Sequence, residues 1–220
     1  LQFVGTDSMS FDGGDYVDTG TTLATALGDN YSGSFTVSMW FKTDVTSGND
    51  GMFYMGSFSD ANGELEIAMS SNLIKFKLNA GVWERNYSFT DTSSWHHLAC
   101  IYDTSGASAS LIYLDGVSVS TATSGSFPAD ADLDFDGLKT IIGSYYNSSF
   151  GLNGNLKNIG IWSRVLKASE IAKIYKYKRM DLSKSSVGYV STSLAGWWRM
   201  GDEADTRVLD TSADNLVIPD

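Results

Sequence analysis

Apolar and polar residues alternate with a period of two along several stretches of this 220-residue chain. The alternation is clearest at 35–42 (Phe-Thr-Val-Ser-Met-Trp-Phe-Lys) and at 73–78 (Leu-Ile-Lys-Phe-Lys-Leu). Because successive side chains of a strand point to opposite faces of a sheet, this period predicts half-buried β-strands. Turn-forming residues recur about every 8–12 residues between such stretches, which is typical of an all-β sandwich. Further strands are predicted at 8–18 (two strands and a turn), 52–58, 64–69, 95–103, 111–115, 140–143 and 154–162.

One stretch, 168–177, has the period of a helix, because Ile171, Ile174 and Tyr175 form a single apolar stripe. The polar, Ser-rich stretch 178–194 is predicted as a covering loop, and 195–200 as a returning strand. That strand carries the adjacent tryptophans 197 and 198, which face opposite sides, so at least one lies in the core. Residues 1–220 are therefore predicted to form one domain. Its fold class is all-β, a two-sheet antiparallel β-sandwich with one short α-helix.

The charge balance narrows the function classes. Acidic residues outnumber basic ones, 26 to 15, for a net charge of −11. A nucleic-acid-backbone binder needs clustered Lys and Arg, which argues against that class here. The one basic cluster has the spacing of a solvated helix face; it comprises Lys173, Lys176, Lys178 and Arg179. No apolar run approaches the ~18 residues of a membrane-spanning helix, so membrane insertion is not expected.

The residues most often used in catalysis or metal binding are predicted to be structural. Cys100 is the single cysteine, so no intrachain disulfide forms, and its apolar strand pattern predicts a buried thiol. His96 and His97 are adjacent in a predicted strand and face opposite sides, so they do not readily chelate one metal together. No nucleophilic Ser or Cys motif lies nearby, which favours structural histidines.

Two groups of aromatic and amide side chains are candidates for contact with a sugar. Rings offer apolar area to the C–H faces of sugars, and amides match their hydroxyls. An alternative stays open, in which these rings cover the edge of the core or a protein interface. The first group lies on a predicted loop and comprises Tyr145, Tyr146, Asn147 and Phe150; the second comprises Trp83, Asn86 and Tyr87.

Two motifs carry a family resemblance: 95–97 (Trp-His-His), which opens one strand, and 113–116 (Tyr-Leu-Asp-Gly), which ends the next in a tight turn. With the strand at 154–162 and the helix after it, they resemble laminin-G-like and pentraxin-like domains. The resemblance covers about residues 8–200. It implies a concanavalin A-type jelly roll and a binding module, so the chain is not expected to be an enzyme.

A second resemblance concerns the setting. The phrase at 197–202 (Trp-Trp-Arg-Met-Gly-Asp) is similar to one in laminin-G-like modules of bacteriophage structural proteins. A lone cysteine agrees with a virion protein made in a reducing cytoplasm. The expected location is the virion surface or the extracellular space, in a homo-oligomer or larger assembly.

The resemblance also implies a calcium site built from two loops on one sheet face. Calcium takes about six to eight oxygen ligands, usually including carboxylates. Tyrosines in the second loop, and Lys157 and Asn158 in the strand where many relatives carry acids, lower the charge of such a site. Ordinary turn chemistry is the alternative for these polar residues. The candidate ligands are Asp60, Asn62, Glu64 and Asn147.

A second acidic pattern, at 130–137, imitates the start of an EF-hand loop with aspartates at every other position. Its twelfth position would be Gly143, which has no carboxylate, so the EF-hand interpretation fails. A solvated acidic edge is favoured instead.

A glycosidase of this fold would need acids spaced along one strand. Glu64 and Glu66 share a face, but the next position on that face is Ala68, so the third acid is missing. The leading interpretation is therefore a non-catalytic recognition or adhesion module for a glycan or other surface ligand. The alternatives are a purely structural virion module, such as a capsid-decoration or tail protein, and an accessory module of a carbohydrate-active enzyme.

Overall fold

A computed structural model describes residues 8–19, 27, 31, 33–57, 60–79, 82–128, 139–145, 150–177, 182, 190–199 and 209–210, with the backbone alone at 57, 60–63, 139 and 209–210. A helix, α1 (Ala168–Lys176), follows the thirteenth of the described strands. In chain order, these strands are β1 (Met9–Asp12), β2 (Val17–Asp18), β3 (Phe35–Thr43), β4 (Asn49–Ser57), β5 (Asp60–Ser70), β6 (Leu73–Leu78), β7 (Trp83–Ser88), β8 (His96–Tyr102), β9 (Ile112–Leu114), β10 (Val117–Ser118), β11 (Ala122–Gly125), β12 (Lys139–Ile142), β13 (Asn153–Trp162), β14 (Leu194–Trp198) and β15 (Leu209–Asp210).

These strands form two antiparallel sheets. Within the described ranges, sheet A has eight strands in the order β10-β9-β8-β3-β13-β14-β15, with β1 also paired to β13. Sheet B has seven, in the order β11-β7-β6-β5-β4-β12-β2. The predicted two-sheet antiparallel sandwich is confirmed, and its topology is consistent with a jelly roll.

The core between the sheets follows the period of two. In β3, Phe35, Val37, Met39 and Phe41 are fully buried and face sheet B. The alternate residues of β6 face them from the other sheet. Each such side chain stabilises the fold by about 1.5–3 kcal/mol when it leaves water.

The outer face of sheet A is covered as well. The helix α1 lies against it, and Ile171 and Ile174 are buried in one cluster with Trp197. Tyr175 of α1 stacks on Trp40 of β3, with ring centroids 5.7 Å apart. The predicted helix at 168–177 is confirmed, apart from Tyr177, which follows its last residue. Among the described residues, no helix is both long and apolar enough to cross a bilayer.

Part of the predicted covering loop, 178–194, lies outside the described residues. Leu182 and Val190 are described, and both are buried in the cluster beneath α1. The returning strand spans Leu194–Trp198 instead of 195–200. Trp197 faces the α1 side and Trp198 the core between the sheets, so the prediction of opposite faces is confirmed.

The two histidines lie on opposite faces of β8, and both have structural contacts. His96 spans two carboxylates, with Nδ1 2.8 Å from Asp115 and Nε2 3.2 Å from Asp91. His97 is fully buried, and its Nε2 lies 2.8 Å from the Ser38 hydroxyl. Cys100 is a buried free thiol, as predicted, and burial raises its pKa.

Candidate functional site

Two aromatic rings stack on the outer face of sheet B, the face turned away from sheet A. The ring centroids of Tyr145 and Phe150 are 4.3 Å apart and their planes differ by 20°. Both side chains are partly exposed. The exposed Asn49 side chain donates a hydrogen bond from Nδ2 to the Tyr145 hydroxyl at 3.3 Å. We call Asn49, Tyr145 and Phe150 the aromatic platform.

Glycines let the platform lie directly on the sheet. Isolated bridges join Gly51 of β4 to Gly151, and Ser144 to Gly151. A Cβ atom on Gly51 would stand 2.1 Å from the backbone nitrogen of Tyr145, so no other residue fits there without a backbone shift. The turn into this segment begins at Gly143, whose φ of +82° disfavours any residue with a Cβ. The position of Tyr145 therefore depends on this glycine contact.

A row of cross-strand neighbours borders the platform. Tyr54, Glu66, Lys77 and Glu84 lie opposite one another along β4, β5, β6 and β7. The Lys77 ammonium lies 2.7 Å from a Glu66 oxygen and 5.9 Å from the ring centroid of Tyr145. The Tyr54 ring lies 6.4 Å from that of Tyr145. Charged and aromatic side chains thus lie next to one another beside the Tyr145 ring.

The Tyr145 phenol stays protonated at neutral pH. Burial raises its pKa above 10.0, and the negative charge of Glu66 adds to the rise. Asn49 and Lys77 act in the opposite direction but do not reverse it. Since Asn49 donates to the phenol oxygen, the phenol hydrogen can donate to a ligand oxygen.

The platform therefore combines flat apolar area with neutral hydrogen-bonding groups. The partly exposed faces of Tyr145 and Phe150 suit the C–H face of a sugar ring. The Asn49 amide and the phenol can each donate and accept at hydroxyls. The three side chains of the platform, an amide, a phenol and a phenyl ring, are all neutral.

The structure brings together one half of the first predicted group. Tyr145 and Phe150 are in contact, as expected of a shared loop cluster. Tyr146 and Asn147 lie outside the described residues, as do the aspartates of 130–137.

The predicted calcium ligands fall largely on residues without described side chains. Asp60 and Asn62 lie in β5 with only their backbone described, and Glu64, partly exposed, is near enough to Tyr145 to raise its pKa. Among the described residues, no cluster of three or more His, Cys, Asp or Glu side chains surrounds a common point. Lys157 and Asn158 are engaged elsewhere, since Lys157 lies over the Trp95 ring and Asn158 accepts from Trp197. Calcium binding stays a prediction.

Burial corrects one member of the second predicted group, Trp83. Trp83 is only 1% exposed and lies in the core between the sheets, where its ring meets Phe76 edge-on at 5.6 Å. Tyr87 packs partly buried against the same core, and the Asn86 amide donates to Glu84 at 2.9 Å. All three residues belong to β7. Trp83 has no free ring face for a ligand, because the alternation of β7 turns it inward.

The two glutamates that share a face of β5 have separate surroundings. Glu66 is 6% exposed and paired to Lys77, and the next position on that face is Ala68, which is fully buried. Glu64 lies near Gly56 and the Tyr54 hydroxyl, with its Cγ 3.2 Å from where a Cβ of Gly56 would stand. Glu66 is thus engaged in an ion pair with Lys77, whereas Glu64 lies beside the Tyr54 ring.

Sequence reasoning missed three members of this surface: Asn49, Tyr54 and Lys77. Each looks ordinary in a strand, and only the register of β4 against β5 and β6 places them beside Tyr145. The available signal was the outward period of two, which puts Tyr54 and Lys77 on the face opposite the core.

The chain belongs to the concanavalin A-like lectin/glucanases superfamily, whose sequence model matches residues 11–172. No curated protein matches it in sequence. The earlier resemblance to laminin-G-like and pentraxin-like domains is thereby confirmed at the level of the superfamily.

Solved structures of similar fold come from several kinds of protein. The NanB sialidase of Streptococcus pneumoniae matches with a TM-score of 0.53 and 20% identity, over 76% of this chain and 27% of the sialidase. Botulinum neurotoxin type C, whose cell entry depends on two ganglioside molecules, matches with a TM-score of 0.55 and 15% identity. The match covers 75% of this chain and 40% of the toxin chain. A pentraxin from Limulus polyphemus matches with a TM-score of 0.50 and 13% identity, over 80% of this chain and 78% of the pentraxin. The chain thus spans well under half the length of the sialidase and the toxin, and these identities show the fold alone.

Proposed function

We propose that this chain is a non-catalytic glycan-binding module and that it binds sugar on the aromatic platform of sheet B. The observation that carries the proposal is the partly exposed Tyr145–Phe150 stack beside the Asn49 amide. The family supports it, because the superfamily includes lectins. So does the ganglioside dependence of the similarly folded neurotoxin.

The platform binds by stacking first and hydrogen bonding second. A sugar ring laid on Phe150 or Tyr145 removes apolar area from water, which contributes about 25 cal/mol per Å². The Asn49 amide and the Tyr145 phenol then select hydroxyl positions, since an unmatched polar group on either side costs affinity. Gly51 allows the backbone of Tyr145 to lie against β4, so the residue is already positioned before binding. Little conformational entropy is therefore lost when a sugar orders this ring.

Calcium enters the proposal as a separate element. If bound, it would be held by Glu64 with Asp60, Asn62 and Asn147, and it would supply a cation that sugar hydroxyls can coordinate. The setting, a virion or an extracellular assembly, also stays a prediction.

Removal of the Tyr145 ring is the direct test. We expect Tyr145→Ala to weaken binding of the tightest-binding array glycan by about tenfold, since the loss of one stacked ring costs about 1.4 kcal/mol. Tyr145→Phe keeps the ring and loses the phenol, with its bond to Asn49 and its bond to the ligand, so its affinity should fall by less, about threefold. Isothermal titration, with calcium and again with EDTA, measures both variants.

Tyr177→Ala is the matched control for this titration. Tyr177 is an exposed tyrosine, 50% accessible, at the end of α1 on the other side of the molecule. Its loss should leave the affinity unchanged. Equal affinities of wild type and Tyr145→Ala, with both proteins folded, would contradict the platform as the binding site.

A further inference from the structure

Among the side chains described on the outer face of sheet B, carboxylates outnumber ammonium groups. Each of the two lysines whose side chains are described there is already engaged: Lys77 lies 2.7 Å from Glu66, and Lys75 lies 3.9 Å from Glu84. An anionic ligand on this face would therefore meet net negative charge, which opposes its approach. The described charged side chains on this face are Asp18, Glu64, Glu66 and Glu84 against Lys75 and Lys77.

A second exposed ring lies at the edge of the same sheet. Tyr16 directly precedes β2 and is 46% exposed. Val17 packs against the core, so the alternation of the chain turns Tyr16 outward, to the side of the platform. Its exposed ring therefore offers a second apolar surface to a ligand on this face.

The distance between Tyr16 and the platform suits a ligand of several sugar units. The strand β2 is separated from β4 by β12 alone, so two inter-strand spacings, about 10 Å, divide them. The turn before Tyr16 touches the platform segment, since the Gly13 amide donates to the Leu152 carbonyl at 2.9 Å. Three residues of chain lead from Gly13 to Tyr16 and two from Leu152 to Phe150, so the Cα atoms of Tyr16 and Phe150 are at most about 22 Å apart.

From these two observations we propose that sheet B binds an extended, uncharged oligosaccharide, with one part stacked on the aromatic platform and another against Tyr16. This inference rests on the proposed function and makes it specific. It separates this chain from a binder of acidic sugars, because the described lysines of the face are committed to glutamates. A neutral ligand gains nothing from free cations, and its affinity should vary little with salt.

The experiment measures affinity by titration against two sets of probes. The first set comprises uncharged mannose, glucose and N-acetylglucosamine oligomers, each as mono-, di- and hexasaccharide. The second comprises sialylated oligosaccharides and oligogalacturonates of matched length. Wild type, Tyr16→Ala and the control Tyr177→Ala are titrated at low and at physiological salt.

For wild type we expect binding to an uncharged series only, with the hexasaccharide tighter than the disaccharide by about tenfold. Tyr16→Ala should lose most of that gain and bind the disaccharide as wild type does. Tighter binding of the acidic set, or an unchanged length dependence in Tyr16→Ala, would overturn this inference and leave the glycan-binding proposal standing. No binding to either set by folded protein would overturn the proposed function itself.

Discussion

Trp83→Ala is expected to lower the free energy of unfolding by about 4 kcal/mol, the range for removal of a buried aromatic side chain. The Trp83 indole is 1% exposed and lies edge-on to Phe76 and to Phe127, at 5.6 Å and 5.4 Å. Alanine would leave a cavity in the core between the sheets, beneath β7, that neighbouring strands cannot fill without losing their register. Chemical denaturation of both proteins measures the difference.

Trp83→Phe separates a core role from a ligand-binding role. Phenylalanine keeps most of the buried area, so the loss should fall to about 1–2 kcal/mol, and glycan binding should be unchanged. A Trp83→Ala protein as stable as wild type, but unable to bind glycan, would contradict the placement of this indole in the core.

His97 should make the fold sensitive to mild acid. Burial lowers the pKa of His97 from 6.5 to about 4, and the charge of Asp115 offsets only part of that effect. Between pH 6.5 and pH 4 the unfolded chain takes up a proton at this residue and the folded chain does not. The free energy of unfolding therefore does not depend on His97 titration above pH 6.5, and it falls by about 3 kcal/mol as the pH drops from 6.5 to 4. Below pH 4 both states are protonated, and no further loss comes from His97.

His97→Gln should remove this slope, because glutamine is uncharged and can still bond to the Ser38 hydroxyl. The chain has two histidines, so His96→Gln is the matched control and should retain the slope. Urea unfolding at intervals from pH 7 to pH 4 measures both. A His97→Gln protein with the wild-type slope would show that the buried imidazole is not its source.

The strands with a clean period of two could be predicted from sequence because one face is apolar and the other polar. The strand β6 was predicted at its observed bounds, Leu73–Leu78, and β3 differs from its prediction by a single residue, Thr43. The helix α1 could also be predicted from sequence, because its apolar residues form a single stripe that packs against the sheet.

Four of the described strands, β7, β10, β11 and β15, escaped prediction, and β7 and β11 did so for different physical reasons. In β7 an arginine, Arg85, takes an inward position between Trp83 and Tyr87, which breaks the apolar pattern. Arg85 is 8% exposed, and its guanidinium donates to the Thr121 hydroxyl and the Ala107 carbonyl. In β11 every residue is exposed, so no hydrophobic pattern exists for the sequence to display.

Only part of the candidate site could be predicted from the sequence. Tyr145 and Phe150 stood out because aromatic rings on a predicted loop invite a functional interpretation. The contact of Asn49 with Tyr145 could not be predicted from sequence, because the two residues are almost a hundred positions apart. They meet only because the chain approaches closely at Gly51. Trp83 misled for the converse reason: without a known register, a core ring and a surface ring look alike.

A glycan array probed with the purified wild-type chain, in calcium and again in EDTA, is the most direct test of glycan binding. We expect binding to at least one class of oligosaccharide in calcium. Binding that survives EDTA would assign recognition to the aromatic platform alone, and binding lost in EDTA would add the predicted calcium site at Glu64. No binding in either condition, by protein with a cooperative unfolding transition, would contradict the account and favour a structural module that binds other proteins.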